Sequence, residues 1–148
     1  MFGLDLRRVR GIGDDQLPAG GADLLGDGRG LEFVLTAAGK DPRFAELLTM
    51  VASCHASHRL GIEHSFPIGE PWLPGSACDH LLRSLPHLHG PALEHCPQPG
   101  GGEARVLWLP PVTSAEIAFR RAHGHEALEQ LFDEHAIDPT DPRRPSMV

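Results

Sequence analysis

Histidine and cysteine residues are concentrated in the middle of this 148-residue sequence, and their side chains are the first candidates for metal binding or catalysis. Zinc binds Cys and His side chains in tetrahedral sets. A zinc finger combines a His pair with two cysteines at Cys-x2-Cys spacing, and the sequence has no such Cys pair, so we predict no metal site. The residues concerned are Cys54, His55, His58, His64, Cys78, His80, His87, His89, His95, Cys96, His123 and His125.

The segment PGSACDH (74–80) places nucleophile, base and acid side chains next to one another. The members of a catalytic triad normally converge from separate segments. A nucleophile elbow also requires Gly-x-Ser-x-Gly, which Gly75-Ser76-Ala77 does not supply. We therefore interpret this segment as a capped turn and predict no catalytic residue. A metal-dependent or hydrolytic enzyme that uses residues 54–96 is the alternative.

A third chemical pattern is the glycine-rich segment GIGDDQ (11–16), which begins like a dinucleotide-binding loop. That loop needs a strand before its glycines and a helix after them. Here the third glycine is replaced by Gln16, and Leu-Pro follows where the helix should begin. The sequence therefore predicts no cofactor.

Composition excludes several classes of partner and location. The chain has 13 Lys and Arg against 20 Asp and Glu, a net charge of −7, which argues against a nonspecific nucleic-acid binder. No apolar run reaches the 18 or so residues of a membrane span. The first residues lack the pattern of a secretory signal. Together with an odd, low number of cysteines, these features predict a cytoplasmic protein with reduced thiols.

Hydrophobic periodicity predicts the elements of the first two thirds of the chain. Leu31, Phe33 and Leu35 alternate with polar or smaller residues, which predicts a strand over 30–37. Residues 41–58 repeat apolar side chains at helical spacing behind Asp41, a good N-cap. Further strands are predicted at 2–10, 62–68, 92–96 and 104–110, and one or two helical turns at 78–85.

Helix signals are strongest near the C-terminus. Thr113 and Glu116 have the spacing of a capping box, in which each residue satisfies a backbone N–H of the other. Gly124 interrupts the apolar pattern that follows. We therefore predict one helix to about His123 and a second from His125 to about His135.

The remaining segments complete the predicted architecture. Residues 11–29 are rich in Gly and predict a flexible loop, and residues 136–148 contain three Pro and predict an extended surface tail. The order of elements predicts a single α+β domain over 1–148. Its mixed, mostly antiparallel sheet would carry helices packed on one face.

Four segments, read in order, resemble the suppressor of fused (Sufu) domain family. FGLDL (2–6) resembles the family's strand ending in F-G-L-S, and GLEFVLT (30–36) resembles its G-F-G-F-E-L-T strand. Residues 44–66 resemble its A-E-L helix and the following G-D-H-like loop. Residues 106–132 resemble its F-L-Q-L strand, T-x-x-E helix and H-G-x-x-A-L ending. Together they cover most of residues 2–146.

The resemblance implies a domain that binds proteins and is not an enzyme. Animal members of the family bind an extended peptide of Gli-type transcription factors, in a mode like β-strand addition. Small bacterial members resemble immunity proteins that neutralise toxins, and an acidic chain suits a basic toxin. The resemblance therefore implies a protein partner, a toxin in the first instance. A regulatory scaffold module is the second alternative.

Site residues follow from the same resemblance. Glu63 and His64 match the family's pair of an acid followed by His, so we predict that they contact the partner, together with the loop to Trp72. Family domains carry a further strand and helix before the F-G-L-S strand, whereas Met1 almost adjoins it here. We therefore expect a trimmed N-terminus relative to the family and an open sheet edge. The sequence leaves the oligomeric state undecided.

Overall fold

The computed structural model of the protein describes residues 30–37, 39–57, 62, 64–99 and 101–148. The predicted strand at 2–10 and the predicted flexible loop at 11–29 lie outside these residues. The described residues form six strands and three α-helices. In chain order these are β1 (Gly30–Val34), α1 (Pro42–Ser57), β2 (Ser65–Pro67), β3 (His80–Leu82), β4 (His95–Pro97), β5 (Glu103–Trp108), β6 (Pro111–Val112), α2 (Ser114–His123) and α3 (His125–Glu134).

The strands form two three-stranded sheets. The first has the order β1-β5-β4, with β1 parallel and β4 antiparallel to β5. The second has the order β2-β3-β6, and both of its pairs are antiparallel. The predicted α+β class with mostly antiparallel pairing is therefore confirmed.

Backbone hydrogen bonds join the two sheets just beyond β3. Ser84 and Trp108 exchange both of their N–H···O bonds, at 3.0 and 2.9 Å. Leu82 then donates to the Pro110 carbonyl at 3.3 Å. The chain from β5 to β6 thus runs along both sheets and fixes the position of one relative to the other.

The helices cover two apolar clusters that β3 separates. Leu81 packs in the first cluster with Leu47 and Val51 of α1. Leu82, its neighbour, packs in the second cluster with Ile117 of α2 and Leu128 of α3. Adjacent strand residues point to opposite faces. Apolar side chains therefore cover both faces of β3 at this point.

Most of the predicted elements are confirmed. The helix expected at 41–58 is α1, the strand expected at 104–110 is β5, and the two helices expected around Gly124 are α2 and α3. The helical turns expected at 78–85 are wrong, because residues 80–82 are strand β3. Both faces of β3 are covered, Leu81 by the first apolar cluster and Leu82 by the second, and this burial accounts for the continuous apolar pair.

The capping box at the start of α2 is confirmed and is also the centre of a buried polar network. The Thr113 Oγ1 accepts from the Glu116 N–H at 3.2 Å, and the Glu116 Oε2 accepts from the Thr113 N–H at 2.9 Å. Arg144 of the C-terminal tail forms two parallel bonds to the Glu116 carboxylate, at 2.6 and 2.8 Å. Glu116 is fully buried and Arg144 is 5% exposed, so this ion pair lies in the protein interior.

The tail, residues 136–148, has no helix or strand, but it is more firmly held than the predicted surface tail. Arg144 also donates to the Pro111 carbonyl at 2.9 Å and stacks over the Phe132 ring, 4.9 Å from its centroid. Ser76 Oγ donates to the Pro142 carbonyl. The Met147 N–H reaches Glu116 at 3.1 Å. The tail is therefore bound to β6, α2 and α3.

A second buried cation, Arg83, lies in the first cluster. Its guanidinium is 5.2 Å from the Phe33 ring centroid and has no hydrogen-bond partner among the described residues. Burial lowers the pKa of Arg83 to about 10.

In the described part of the chain, no helix is both long and apolar enough to span a membrane.

We predict that Arg144→Met lowers the free energy of unfolding by about 3–5 kcal/mol, because it leaves the buried Glu116 carboxylate without its cation. Urea unfolding followed by tryptophan fluorescence measures the change. Arg143→Met is the matched control, since Arg143 is the exposed neighbour, and it should change stability by less than about 0.5 kcal/mol. Equal effects of the two substitutions would contradict the interior role of Arg144.

Candidate functional site

The predicted partner surface consists of Glu63, His64 and the loop to Trp72, and its described residues include an exposed part and a buried part. His64 is exposed, and its carbonyl accepts from the Arg83 N–H at 3.1 Å, next to β2. Within the described residues β2 pairs with β3 alone, which places it at a sheet edge. Glu63 lies outside the described residues.

Trp72 belongs to the buried part. It is fully buried, its Nε1 donates to the His80 carbonyl at 2.9 Å, and its ring packs against Phe44. In this conformation its side chain has no surface for a partner and holds the first apolar cluster together. Partner binding by Glu63, His64 and Trp72 stays a prediction.

The structure contains a cleft of about 430 Å³ on the other side of β3, within the size range of ligand pockets. Four stretches of chain line it. They are Leu82 and Ser84 at the end of β3, the 3-10 helix His87–His89, the corner at residues 108–111, and α3 with the tail residues that follow it. We call this feature the α3 cleft.

Local sequence explains why these stretches form walls. Pro86 precedes the 3-10 helix, and Gly90 ends it with a φ of 74°, which a residue with a side chain rarely adopts. The Pro110-Pro111 pair carries the chain from β5 into β6. On α3, Leu128 and Phe132 are four residues apart and therefore share a face. Leu128 is fully buried beneath the cleft.

The rim of the α3 cleft is acidic. Glu129 and Asp133, one turn apart on α3, both line it. His125 Nε2 lies 3.1 Å and His87 Nε2 lies 3.5 Å from the same oxygen of Glu129. This contact links the 3-10 helix to α3 across the cleft.

Two side chains on the cleft wall are unusual for a folded interior. Leu88 is 48% exposed, although it is a large apolar residue. Trp108 is 6% exposed, and its Nε1 donor is buried without an acceptor among the described residues. Buried donors normally have a partner, and the Trp108 indole N–H is one of several buried polar groups in the described residues for which the structure shows none.

The residues weighed for nucleophilic chemistry form a structural turn. Ser76 Oγ accepts from the Cys78 N–H at 3.0 Å and donates to the Pro142 carbonyl. Cys78 is fully buried, and burial raises the pKa of its thiol to about 11, whereas an activated thiol has a lowered pKa. This arrangement is the capped turn that the sequence predicted.

The metal alternative receives no support from geometry. Within the part of the chain that the structure describes, no three His, Cys, Asp or Glu side chains are placed to hold a metal ion. Several histidines instead face single carboxylates, as His80 does Asp79 at 2.8 Å and His95 does Glu103 at 3.2 Å.

Sequence reasoning missed the α3 cleft. His87 and His125 were weighed only as zinc ligands, and Leu128 and Phe132 only as the apolar face of a helix. One local signal was present, namely Leu88 between two histidines in a short segment bounded by Pro86 and Gly90. Such a segment is a turn, and an apolar residue at its centre is exposed.

Comparison with known proteins gives a consistent result. The family model described as "Suppressor of fused protein (SUFU)" matches residues 13–145. A comparison with curated proteins gave no match. Among solved structures, the chain is similar to a SUFU homologue from Neisseria gonorrhoeae, with 34% identity and a TM-score of 0.70. The match covers 80% of this chain and 63% of that one, so this chain spans less than two thirds of that relative.

Two further solved structures share the fold at low identity. Drosophila Suppressor of Fused has 15% identity and a TM-score of 0.60 over 81% of this chain and 32% of that one. The Sufu-Fu complex has 12% identity and a TM-score of 0.57 over 99% of this chain and 55% of that one.

We predict that Cys78 resists alkylation by iodoacetamide in the native protein, whereas Cys54 and Cys96, which are partly exposed, react.

The raised pKa of the Cys78 thiol also makes the free energy of unfolding depend on pH. The folded state holds the thiol proton more tightly than the unfolded state, whose thiol pKa is about 9. The stabilisation is therefore complete below pH 9 and is lost as the pH rises towards 11, by up to about 3 kcal/mol.

Urea unfolding at pH 8 and pH 10.5 measures this loss. Cys78→Ala is the control, and its stability should fall less between the two pH values. Arg83, whose pKa burial lowers to about 10, also titrates in this range, so the difference between wild type and Cys78→Ala gives the contribution of Cys78. Rapid alkylation of all three cysteines in the native protein would contradict the burial of Cys78.

Proposed function

Because the chain belongs to the suppressor of fused family, we propose that it is a cytoplasmic immunity protein that neutralises a toxin by binding it stoichiometrically. It is a protein-binding domain without catalytic activity of its own. Its mechanism is occlusion, in which the bound domain covers the surface that the toxin needs for its activity. The observation that carries this proposal is the family match over residues 13–145.

Protein binding is supported by a relative that was solved with a protein partner, the Sufu-Fu complex. The match to that structure covers 99% of this chain, which spans about half of that relative. Its described surface also includes a cleft with an apolar lining, which suits the side chain of a bound partner better than bulk water.

Charge supports a basic partner. The net charge of −7 gives a negative field around the chain at neutral pH. Such a field speeds encounter with a positively charged protein and disfavours binding to nucleic acid. Toxins that cut nucleic acid need basic surfaces for their own substrate, so an acidic domain competes directly for that surface.

The proposal predicts one partner, bound 1:1, whose toxicity the chain abolishes. The purified chain is used to capture proteins from the lysate of its source cell, and mass spectrometry identifies them. The captured protein is then purified, its stoichiometry is measured by titration calorimetry, and its effect on growth is measured with and without co-expression of the chain. We expect one binding site per chain and restored growth.

Variants locate the surface within the same assay. Glu63→Lys with His64→Ala tests the predicted loop, and Leu88→Asp tests the α3 cleft. The exposed substitution Glu126→Gln is the control. A partner that does not slow growth would contradict the immunity role and would favour the alternative function, a regulatory scaffold module. A purified chain that contains bound metal and binds no protein would instead support the enzyme alternative.

A further inference from the structure

Carboxylate oxygens at the rim of the α3 cleft can form an ion pair with a cation of a partner. Glu129 uses one carboxylate oxygen for His125 and His87, and no described contact occupies its second oxygen. Asp133, one turn further along α3, is exposed and forms no ion pair with any described residue. Two carboxylates four residues apart on one helix face reinforce each other's attraction for a positive charge.

The floor and walls of the cleft are apolar. Leu82 and Leu128 are buried at its base, and Phe132 and Leu88 flank it. Leu88 exposes nearly half of its surface, and the only other large apolar side chain exposed among the described residues is the terminal Val148. Burying one large apolar side chain here would strengthen binding roughly ten- to a hundredfold.

Trp108 is among the residues that line the wall, and it is more than nine-tenths buried. The cleft therefore combines an apolar floor with an acidic rim that can pair with a cation.

We propose that the α3 cleft docks a partner segment that presents a large apolar side chain next to a Lys or Arg. The apolar side chain lies between Leu88 and Phe132, and the cation pairs with Glu129 and Asp133. This inference rests on the proposed function, and it names the chemistry of the partner that the domain recognises.

The negative charge of the cleft rim favours a basic residue next to the partner's apolar side chain over an acidic one. An acidic residue next to the apolar side chain would face two carboxylates at the rim and a chain of net charge −7. Such like-charge contacts penalise the wrong partner and so provide specificity. The site thus selects its partner by the sign of the partner's charge as well as by the shape of its apolar side chain.

Four capped dipeptides test the proposal on the full-length protein. They are N-acetyl-Phe-Arg-amide, N-acetyl-Phe-Gln-amide, N-acetyl-Phe-Glu-amide and N-acetyl-Ala-Arg-amide, each titrated into 15N-labelled protein and followed by NMR. We expect Phe-Arg to bind roughly three- to tenfold more tightly than Phe-Glu, with Phe-Gln between them. Ala-Arg should give no saturable shift.

The two tryptophans provide an internal control. The Trp108 indole N–H signal should shift with Phe-Arg, whereas the Trp72 indole, which already donates to His80 in the core, should not. Equal binding of Phe-Arg and Phe-Glu, no binding by any probe, or shifts that leave the Trp108 signal and α3 unchanged would overturn the proposal.

Matched double variants isolate the rim charges. Glu129→Gln with Asp133→Asn should abolish the preference for Phe-Arg over Phe-Glu. Glu126→Gln with Glu134→Gln removes the same charge from exposed positions of the same helix and should retain the preference. Equal loss in both double variants would show a general charge effect and overturn the site.

Failure of this inference is distinguishable from failure of the proposed function. A toxin that binds 1:1 with an affinity unaffected by Leu88→Asp overturns the cleft and leaves the immunity role. Probe binding without any protein partner overturns the immunity role and leaves the cleft chemistry. Self-association that Leu88→Asp abolishes would identify a second copy of this chain as the occupant and overturn the proposed partner segment.

Discussion

The buried ion pair between Glu116 and Arg144 is the contact on which the C-terminal half of the structure depends. It joins the first turn of α2 to a tail residue 28 positions later, and the same arginine bonds to β6 through Pro111 and stacks on Phe132 of α3. Replacing a buried pair by apolar residues is often neutral, but removing one partner is costly. Its main effect is therefore to specify one position for the tail.

This constraint shapes the α3 cleft. Pro111 and Phe132, which Arg144 contacts directly, both line the cleft, and so do the tail residues Ile137 and Pro139. The opposite wall comes from the 3-10 helix, which His87 links to Glu129 of α3. A surface that is held from behind by a buried network is preorganised, and preorganisation lowers the entropic cost of binding.

Local patterns were sufficient to predict the helices and most strands, because those signals lie within a few residues. The Thr113–Glu116 capping box and the break at Gly124 located α2 and α3. Contacts between distant residues were not predictable in this way. The parallel pairing of β1 with β5 and the burial of Arg144 depend on partners far away in the chain, and a tail with three prolines gave no local sign of an interior arginine.

The candidate site was equally difficult to predict from local patterns, because it too depends on contacts between distant residues. The resemblance to the family directed attention to Glu63, His64 and Trp72, yet Trp72 is a core residue, and its burial follows from contacts with Phe44 and His80 that the sequence does not reveal. The α3 cleft forms only where four separate stretches of the chain meet. Only Leu88, in a short turn segment, carried a signal that could be read locally.

Hydrogen exchange of wild type and Arg144→Met, followed by mass spectrometry under native conditions, tests the coupling between the ion pair and the cleft most directly. The Met147 amide bonds to Glu116, and the Ile137 amide bonds to the Phe132 carbonyl. The account predicts faster exchange in residues 136–148 and at the C-terminal end of α3 in the variant, with α1 unchanged. Unchanged protection of the tail, or loss of protection spread evenly over the whole described chain, would contradict it.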